Sequence, residues 1–353
     1  MIRALLIAEE ANPEWVSVPL VGWSCARAIG RRLNAHIVTQ VRNRDAFIRA
    51  GASTEEFTSI DSEAVAGRMY RMARVLRGGT GAGWTTNTAF AAVSYLYFER
   101  LLWKQFGGRI AAHEFDVVHR ITPLSPTIPS VIAGRCRRAG VPFVLGPLNG
   151  GVPWPRGFDG ARRREREWLS YVRGAYRMLP GYRSTRRDSA AIIGGSKYTL
   201  SQMPRESRGR CVYIPENGID PSRFARRVRA SACLPLKIGF VGRLVPYKGA
   251  DMLIEAAAPL ARAGKVVVDI IGDGPEMERL RTQIAKLDLG GSVTLAGWIE
   301  HSRLQDRLAR ADVLGFPSIR EFGGGVVLEA MALGLVPVVV DYGGPGELVT
   351  EQS

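Results

Sequence analysis

The chain has 353 residues, 46% of them hydrophobic and 23% charged, enough apolar material for packed cores and, at roughly 100–200 residues per domain, for two of them. Its four cysteines have no paired spacing, which argues against a zinc ribbon or a disulfide framework, and no apolar run approaches the length of a membrane-spanning helix. The formal net charge of +15 speaks for an anionic partner more than for a fold.

In chain order, the apolar start stops at Glu9-Glu10, too early for a signal-peptide core, so a reducing cytoplasm is the expected compartment. Strands are expected at 2–8, 35–40, 117–119, 141–145, 191–195 and 211–215, with helices at 21–32, 89–106, 129–139 and 162–178. The stretch 78–83 reads as a loop, and 147–160 is rich in proline and glycine. Nine arginines lie within 162–187, interleaved with Trp168, Tyr171, Tyr176, Met178, Leu179 and Tyr182. Two readings stay open for them: a solvated helix face, or a surface for anionic lipid, since aromatic and aliphatic residues alternate with the charges. Neither zinc-finger spacing nor an aromatic RNA-binding signature points to nucleic acid. The rhythm pauses in a basic segment, 217–235, expected to link an N-terminal domain, 1–216, to a C-terminal domain, 236–353.

From residue 236 the pattern is regular. Strands are expected at 236–241, 265–271, 292–297, 313–317 and 336–340, and helices at 250–263, 276–287, 302–311 and after Gly325. Short β-branched runs between amphipathic helices imply a parallel sheet covered on both faces. The expected fold class is therefore α/β, with two Rossmann-like doubly wound domains. In such a sheet the loops after the strands share the carboxyl edge, where ligands bind.

The densest chemistry lies in Ser318-Ile319-Arg320-Glu321-Phe322-Gly323-Gly324-Gly325-Val326-Val327-Leu328-Glu329. The glycines let backbone approach a ligand and offer N–H groups at a helix start, which favours phosphate. Glu329 sits about one turn into that helix, while Glu321 approaches from the loop before it. A carboxylate on so apolar a helix needs donors, and ribose hydroxyls would supply them. Upstream, Gly242-Arg243-Leu244-Val245-Pro246-Tyr247-Lys248 puts two cations on one loop. They can clamp a diphosphate, or be ordinary charges on a surface turn. Gly272-Asp273-Gly274-Pro275-Glu276 reads first as a common turn whose glutamate favours a helix start.

Taken in this order, the segments from Pro215 to Glu347 resemble the retaining nucleotide-sugar glycosyltransferases of glycosyltransferase family 4, including Pro215-Glu216-Asn217-Gly218 and Gly343-Gly344-Pro345-Gly346-Glu347. The resemblance implies the GT-B fold, in which two Rossmann-like domains face each other across a cleft. It implies that Arg243 and Lys248 hold the donor diphosphate, that Glu321 binds the donor sugar and Glu329 the ribose. The backbone of Gly323, Gly324, Gly325 and Val326 would contact sugar and phosphate, with Gly242, Phe322 and Glu276 also at the donor. The substrate would be a UDP- or GDP-sugar, with no cofactor, and the acceptor a lipid-linked or cell-envelope glycan, reached at the cytoplasmic face of the membrane. No metal is expected, since the chain lacks an Asp-x-Asp motif. Retention without a carboxylate nucleophile implies front-face attack.

The first half matches less well. Gly22, in Pro19-Leu20-Val21-Gly22-Trp23-Ser24, is the counterpart of a phosphate loop that usually has two glycines. His119 stands where family members often have a pair of histidines, the second being Ile121 here; it either contacts the donor sugar or caps a strand. Asn149 and Gly150 are candidates for an acceptor-side cleft wall. The chain ends at Ser353, where family members continue, so a truncated frame or fragment is expected. Rival readings are a phosphorylase or epimerase on the same fold and a non-catalytic nucleotide-sugar-binding protein.

Overall fold

The computed structural model describes residues 1–65, 67, 84–165, 175–178, 180–219, 224 and 233–349. They divide into two compact units, Met1–Gly151 with Glu167–Glu216, and Val152–Arg166 with Asn217–Ser353. The expected first domain, 1–216, thus loses a segment to the second. The reason is local: Arg320 and Tyr342 donate hydrogen bonds to the carbonyls of Val152 and Pro153. The expected loop 78–83, residues 166–174 of the expected basic helix, Leu179, and 220–223 and 225–232 of the expected linker lie outside the described residues.

The first unit contains β1 (Arg3–Ala8), α1 (Val18–Gly30), β2 (Asn34–Gln40), α2 (Arg44–Arg49), β3 (Phe57–Ile60), α3 (Trp84–Ala111), β4 (Val117–Thr122), α4 (Ile132–Arg138) and β5 (Phe143–Leu148). After α5 (Asp159–Arg164), which groups with the other unit, come α6 (Tyr182–Asp188), β6 (Ala191–Gly194), α7 (Lys197–Ser201) and β7 (Cys211–Tyr213). The strands form one parallel sheet in the order β3-β2-β1-β4-β5-β6-β7. Packing explains why β1 is apolar from Ala4 to Ala8. Leu5 and Ile7 face a core with Tyr95, Phe98 and Leu102 of α3, while Ala4, Leu6 and Ala8 face another with Ala26 of α1 and Phe47 of α2. Alternation at period two onto two covered faces removes polar positions from a strand, and each large side chain so buried contributes about 1.5–3 kcal/mol.

The expected helix 162–178 is interrupted: α5 ends at Arg164, and Ala175–Met178 is a 3-10 helix. Arginines of the stretch 162–187 are used internally. Arg164 lies 3.7 Å from Asp251 and 3.8 Å from Glu276. Arg186 is buried, donates to the carbonyls of Tyr182 and Pro126, and stacks 3.5 Å from the Tyr182 ring centre.

The second unit contains β8 (Leu236–Val241), α8 (Ala250–Arg262), β9 (Val266–Ile271), α9 (Met277–Lys286), β10 (Val293–Gly297), α10 (His301–Leu308), β11 (Val313–Phe316), α11 (Gly325–Ala332), β12 (Val336–Val339) and α12 (Gly344–Leu348). Its parallel sheet runs β10-β9-β8-β11-β12. The chain builds outward from β8 to β10, then returns to place β11 on the other side of β8. The switch point, where a doubly wound sheet opens a crevice for ligands, therefore lies beyond the carboxyl ends of β8 and β11. Phe240 and Phe316 pack beneath it with ring centres 6.1 Å apart, among Ile254, Ile270, Leu314 and Val327. Among the described residues no helix is long and apolar enough to cross a membrane.

Candidate functional site

The loops that follow β8 and β11 meet at this switch point. Lys248 closes a 3-10 helix, Pro246–Lys248, and its ammonium donates to the Glu321 carboxylate. Both side chains are only 16% exposed. Burial works to lower the Lys248 pKa, but Glu321 and Tyr247 outweigh it and raise it above the usual lysine value, which keeps the ammonium charged. The other Glu321 oxygen accepts the Phe322 N–H at 3.3 Å. Sequence reasoning gave these two residues separate partners, diphosphate and sugar; the structure joins them. The loop is also tied to the 3-10 helix, since the Ile319 N–H and the Ser318 hydroxyl both donate to the Tyr247 carbonyl, at 2.9 and 3.2 Å.

Backbone packing shapes the rest. The Gly242 and Leu244 N–H groups donate to the Ile271 and Asp273 carbonyls, at 3.0 and 2.9 Å. These bonds hold the loop that carries exposed Arg243 against the turn after β9. Gly272 has φ +144°, and a Cβ there would stand 1.9 Å from the Gly242 oxygen. On the other side, the Gly344 N–H donates to the Glu321 carbonyl at 3.1 Å, and a Cβ on Gly344 would stand 2.1 Å from the Phe322 oxygen. Gly324, with φ +67°, then turns the chain into α11, and Gly323, Gly325 and Val326 border that start. Glu329 is half-buried one turn further on. The structure thus groups Gly242, Arg243, Lys248, Glu321, Phe322, the glycine triplet, Val326 and Glu329 on the switch-point loops and the helix they lead into. The Glu276 N–H donates to the Leu244 carbonyl of the Arg243 loop at 3.1 Å, while its carboxylate pairs with Arg279 and lies 3.8 Å from Arg164, and Arg279 also pairs with Asp251 at 2.9 Å. An ion-pair network at the start of α9 accounts for this glutamate.

The first-unit candidates have structural tasks. Gly22 lies inside α1 rather than in a loop, because α1 begins at Val18 with a proline in its first turn. A Cβ there would meet the Glu10 carbonyl at 2.3 Å and Thr122 Cγ2 at 2.8 Å, so close helix packing on the ends of β1 and β4 accounts for the glycine. His119 is 8% exposed, and its Nε2–H donates to the Gly146 carbonyl at 2.6 Å. Asn149, also buried, accepts from the Gly150 N–H at 2.8 Å and the Ser196 hydroxyl at 3.0 Å, and its own N–H donates to Leu124 at 2.8 Å. It organises the loop on which Gly150 sits. Sequence reasoning passed over Glu9, buried just after β1 and 3.4 Å from Arg42. Burial first, then the Glu10 charge, pushes its carboxyl up to about 8. The only signal was the abrupt change from an apolar strand to two glutamates. It also passed over Arg320, a cation adjoining Glu321.

Burial lowers the His119 pKa to about 4. Between that value and the unfolded value of about 6.5, the unfolded chain binds the proton and the folded chain does not. Stability from the neutral ring is thus complete above pH 6.5 and lost as pH falls toward 4. We predict that acidification across this window destabilises the wild type about 3 kcal/mol more than His119→Gln. An equal loss of stability in parallel urea titrations of the two proteins across this window would contradict this assignment.

Comparison with known proteins bears on the C-terminal unit and on the fold. Residues 224–353 match the family described as glycosyl transferases group 1. The amylovoran biosynthesis glycosyltransferase AmsK of Erwinia amylovora is 32% identical over 145 residues, 39% of this chain and 36% of that protein. The putative colanic acid biosynthesis glycosyltransferase WcaL of Salmonella typhimurium is 32% identical over 212 residues, 56% of this chain and 51% of that protein. The matched stretches thus span about a third to a half of these relatives. Among solved structures, Anabaena HepE in complex with UDP and glucose superposes with a TM-score of 0.60 at 18% identity, covering 99% of this chain and 84% of that one. Sucrose-phosphate synthase from Thermosynechococcus elongatus does so with a TM-score of 0.62 at 15% identity and the same coverages, 99% and 84%. The C-terminal unit matches the group 1 glycosyltransferases in sequence, and the two parallel α/β sheets have the fold of GT-B glycosyltransferase structures.

Proposed function

We propose that the protein transfers a sugar from a nucleoside-diphosphate sugar, with retention of anomeric configuration, to a lipid-linked or cell-envelope glycan. The observation that carries this reading is the Lys248–Glu321 pair beside the glycine-led start of α11, at the switch point between β8 and β11. In glycosyl transfer the anomeric carbon gains positive charge and the departing diphosphate gains negative charge, so fixed positive groups at the phosphate accelerate the step. Lys248, Arg243 and the N–H groups that open α11 supply them. Glu321, held by Lys248 and the Phe322 N–H, accepts hydroxyls of the donor sugar, and Glu329 those of the ribose. This charge set neutralises a diphosphate without a metal. The acceptor hydroxyl attacks from the same face, and the departing phosphate takes its proton.

Solved neighbours that hold UDP or UDP-glucose support a nucleotide-sugar donor. Relatives named for amylovoran and colanic acid biosynthesis support an envelope polysaccharide as acceptor. The exposed arginines fit a cytoplasmic enzyme that works against an anionic membrane face.

The test is the thermal midpoint of the full chain with UDP, GDP or ADP, each with EDTA. One nucleotide is expected to raise it. Glu329→Ala is expected to weaken that nucleotide by about 1.5–3 kcal/mol, the scale of a hydrogen bond to a charged group. An unchanged affinity in the variant removes Glu329 from the ribose, and no shift with any nucleotide overturns the donor-site reading.

A further inference from the structure

We propose that Arg320 is a positioning residue for the reaction: by gripping the segment Val152–Arg166 it fixes the Lys248–Glu321 pair in its working geometry. This inference rests on the donor-site reading above.

Arg320 is 3% exposed. A buried guanidinium needs partners, and this one finds them in a segment distant in sequence. Its Nε–H donates to the Val152 carbonyl at 3.1 Å, and its central carbon lies 5.4 Å from the Trp154 ring and 5.5 Å from the Phe322 ring. Trp154 in turn meets Tyr247 edge-on, with ring centres 6.3 Å apart. The Tyr342 hydroxyl donates to the Pro153 carbonyl at 2.9 Å. Three consecutive residues, Val152, Pro153 and Trp154, are thereby engaged by the loops after β11, β12 and β8. Two of the gripping residues adjoin the proposed machinery in sequence, Arg320 next to Glu321 and Tyr247 next to Lys248. At its far end the segment is anchored through Arg164, near Asp251 and Glu276.

The consequence is mechanical. Lys248 and Glu321 sit on separate loops whose ends are tied by the Ile319 and Ser318 bonds to Tyr247, and the segment bridges the same loops from the other side. Removing the Arg320 bond frees the carboxylate loop on one side only, and a shift of about 1 Å in a positioned group costs up to ~100-fold in rate. A stacked, hydrogen-bonded guanidinium is not replaced by an ammonium, so lysine should not rescue.

The experiment measures nucleotide release from UDP-glucose, GDP-glucose and ADP-glucose by the full chain, scaled to folded protein. With the donor that the wild type turns over, Arg320→Met and Arg320→Lys are each expected to lower kcat about 10–100-fold. Trp154→Ala should do likewise, whereas Trp154→Phe, which keeps a ring over the guanidinium, should retain most of the rate. A merely structural role would lower the thermal midpoint and leave kcat per folded molecule unchanged. That result, in Arg320→Met or, should it not fold, in Trp154→Ala, overturns the proposal while leaving the donor site intact. Absence of nucleotide binding and turnover in the wild type overturns the donor-site reading and this inference together.

Discussion

Lys248→Met is expected to lower turnover about 10²–10³-fold, the loss that follows removal of one preorganised donor from a developing anion. The side chain keeps its length and apolar stem, so packing near Phe316, whose ring centre is 5.2 Å from the ammonium, is largely preserved. What disappears is the charge. Donor affinity should fall less than rate, because the diphosphate carries more negative charge as it leaves than when bound. Glu321→Gln should also lose rate, for two reasons: it weakens contact with sugar hydroxyls, and it releases the ammonium that the carboxylate orients. Since the two residues touch, their losses should not add. The double variant Lys248→Met with Glu321→Gln should be little slower than the worse single variant. Additive losses would mean that the contact has no part in the reaction, and a turnover within about threefold of wild type in Lys248→Met would remove the lysine from the transition state.

Why the pair escaped sequence reasoning is instructive. Each residue was legible by itself, because a cation after a buried strand and a carboxylate before a glycine triplet are local patterns. Their contact depends on β8 and β11 being neighbours in the sheet, and that order follows from the crossover, which no local pattern encodes. The second sheet was readable strand by strand because covered parallel strands leave apolar runs, as in the stretch from Val313 to Phe316. In the first unit, β3 has four residues, two of them hydroxylic, and α6 reads Tyr-Arg-Ser-Thr-Arg-Arg-Asp. Neither offers a period. Burial of Arg186 and Arg320 was equally hidden, since their acceptors are main-chain carbonyls, which every residue possesses. The segment Val152–Arg166 was placed in the first domain for the same reason: the bonds that dock it on the second unit go to the carbonyls of Val152 and Pro153.

Gly272→Ala is expected to be the most damaging single-methyl change in the second unit. The turn after β9 holds the loop of Arg243 through backbone bonds, from Gly242 to Ile271, from Leu244 to Asp273 and from Glu276 to Leu244. Such bonds require the two backbones to lie in contact. The position a Cβ would occupy is 1.9 Å from the Gly242 oxygen and 2.9 Å from its carbonyl carbon, and no side chain can swing away to make room. The φ of +144° adds strain that only glycine avoids. Strain of ~1–3 kcal/mol and overpacking of ~1–3 kcal/mol together predict a loss of about 4 kcal/mol, a large share of the 5–15 kcal/mol that holds a typical domain. For a unit of this size that corresponds to a fall of roughly 8–16 °C in the thermal midpoint. Gly290→Ala is the control: a Cβ there meets nothing within 4 Å, and the midpoint should barely move. Whatever Gly272→Ala protein remains folded must part the two loops to admit the methyl group, which carries Arg243 and the chain leading to Lys248 away from the start of α11. Nucleotide affinity should therefore fall together with stability. A midpoint within about 2 °C of wild type and an undiminished nucleotide shift would mean that the turn after β9 does not set the geometry of the cationic loop.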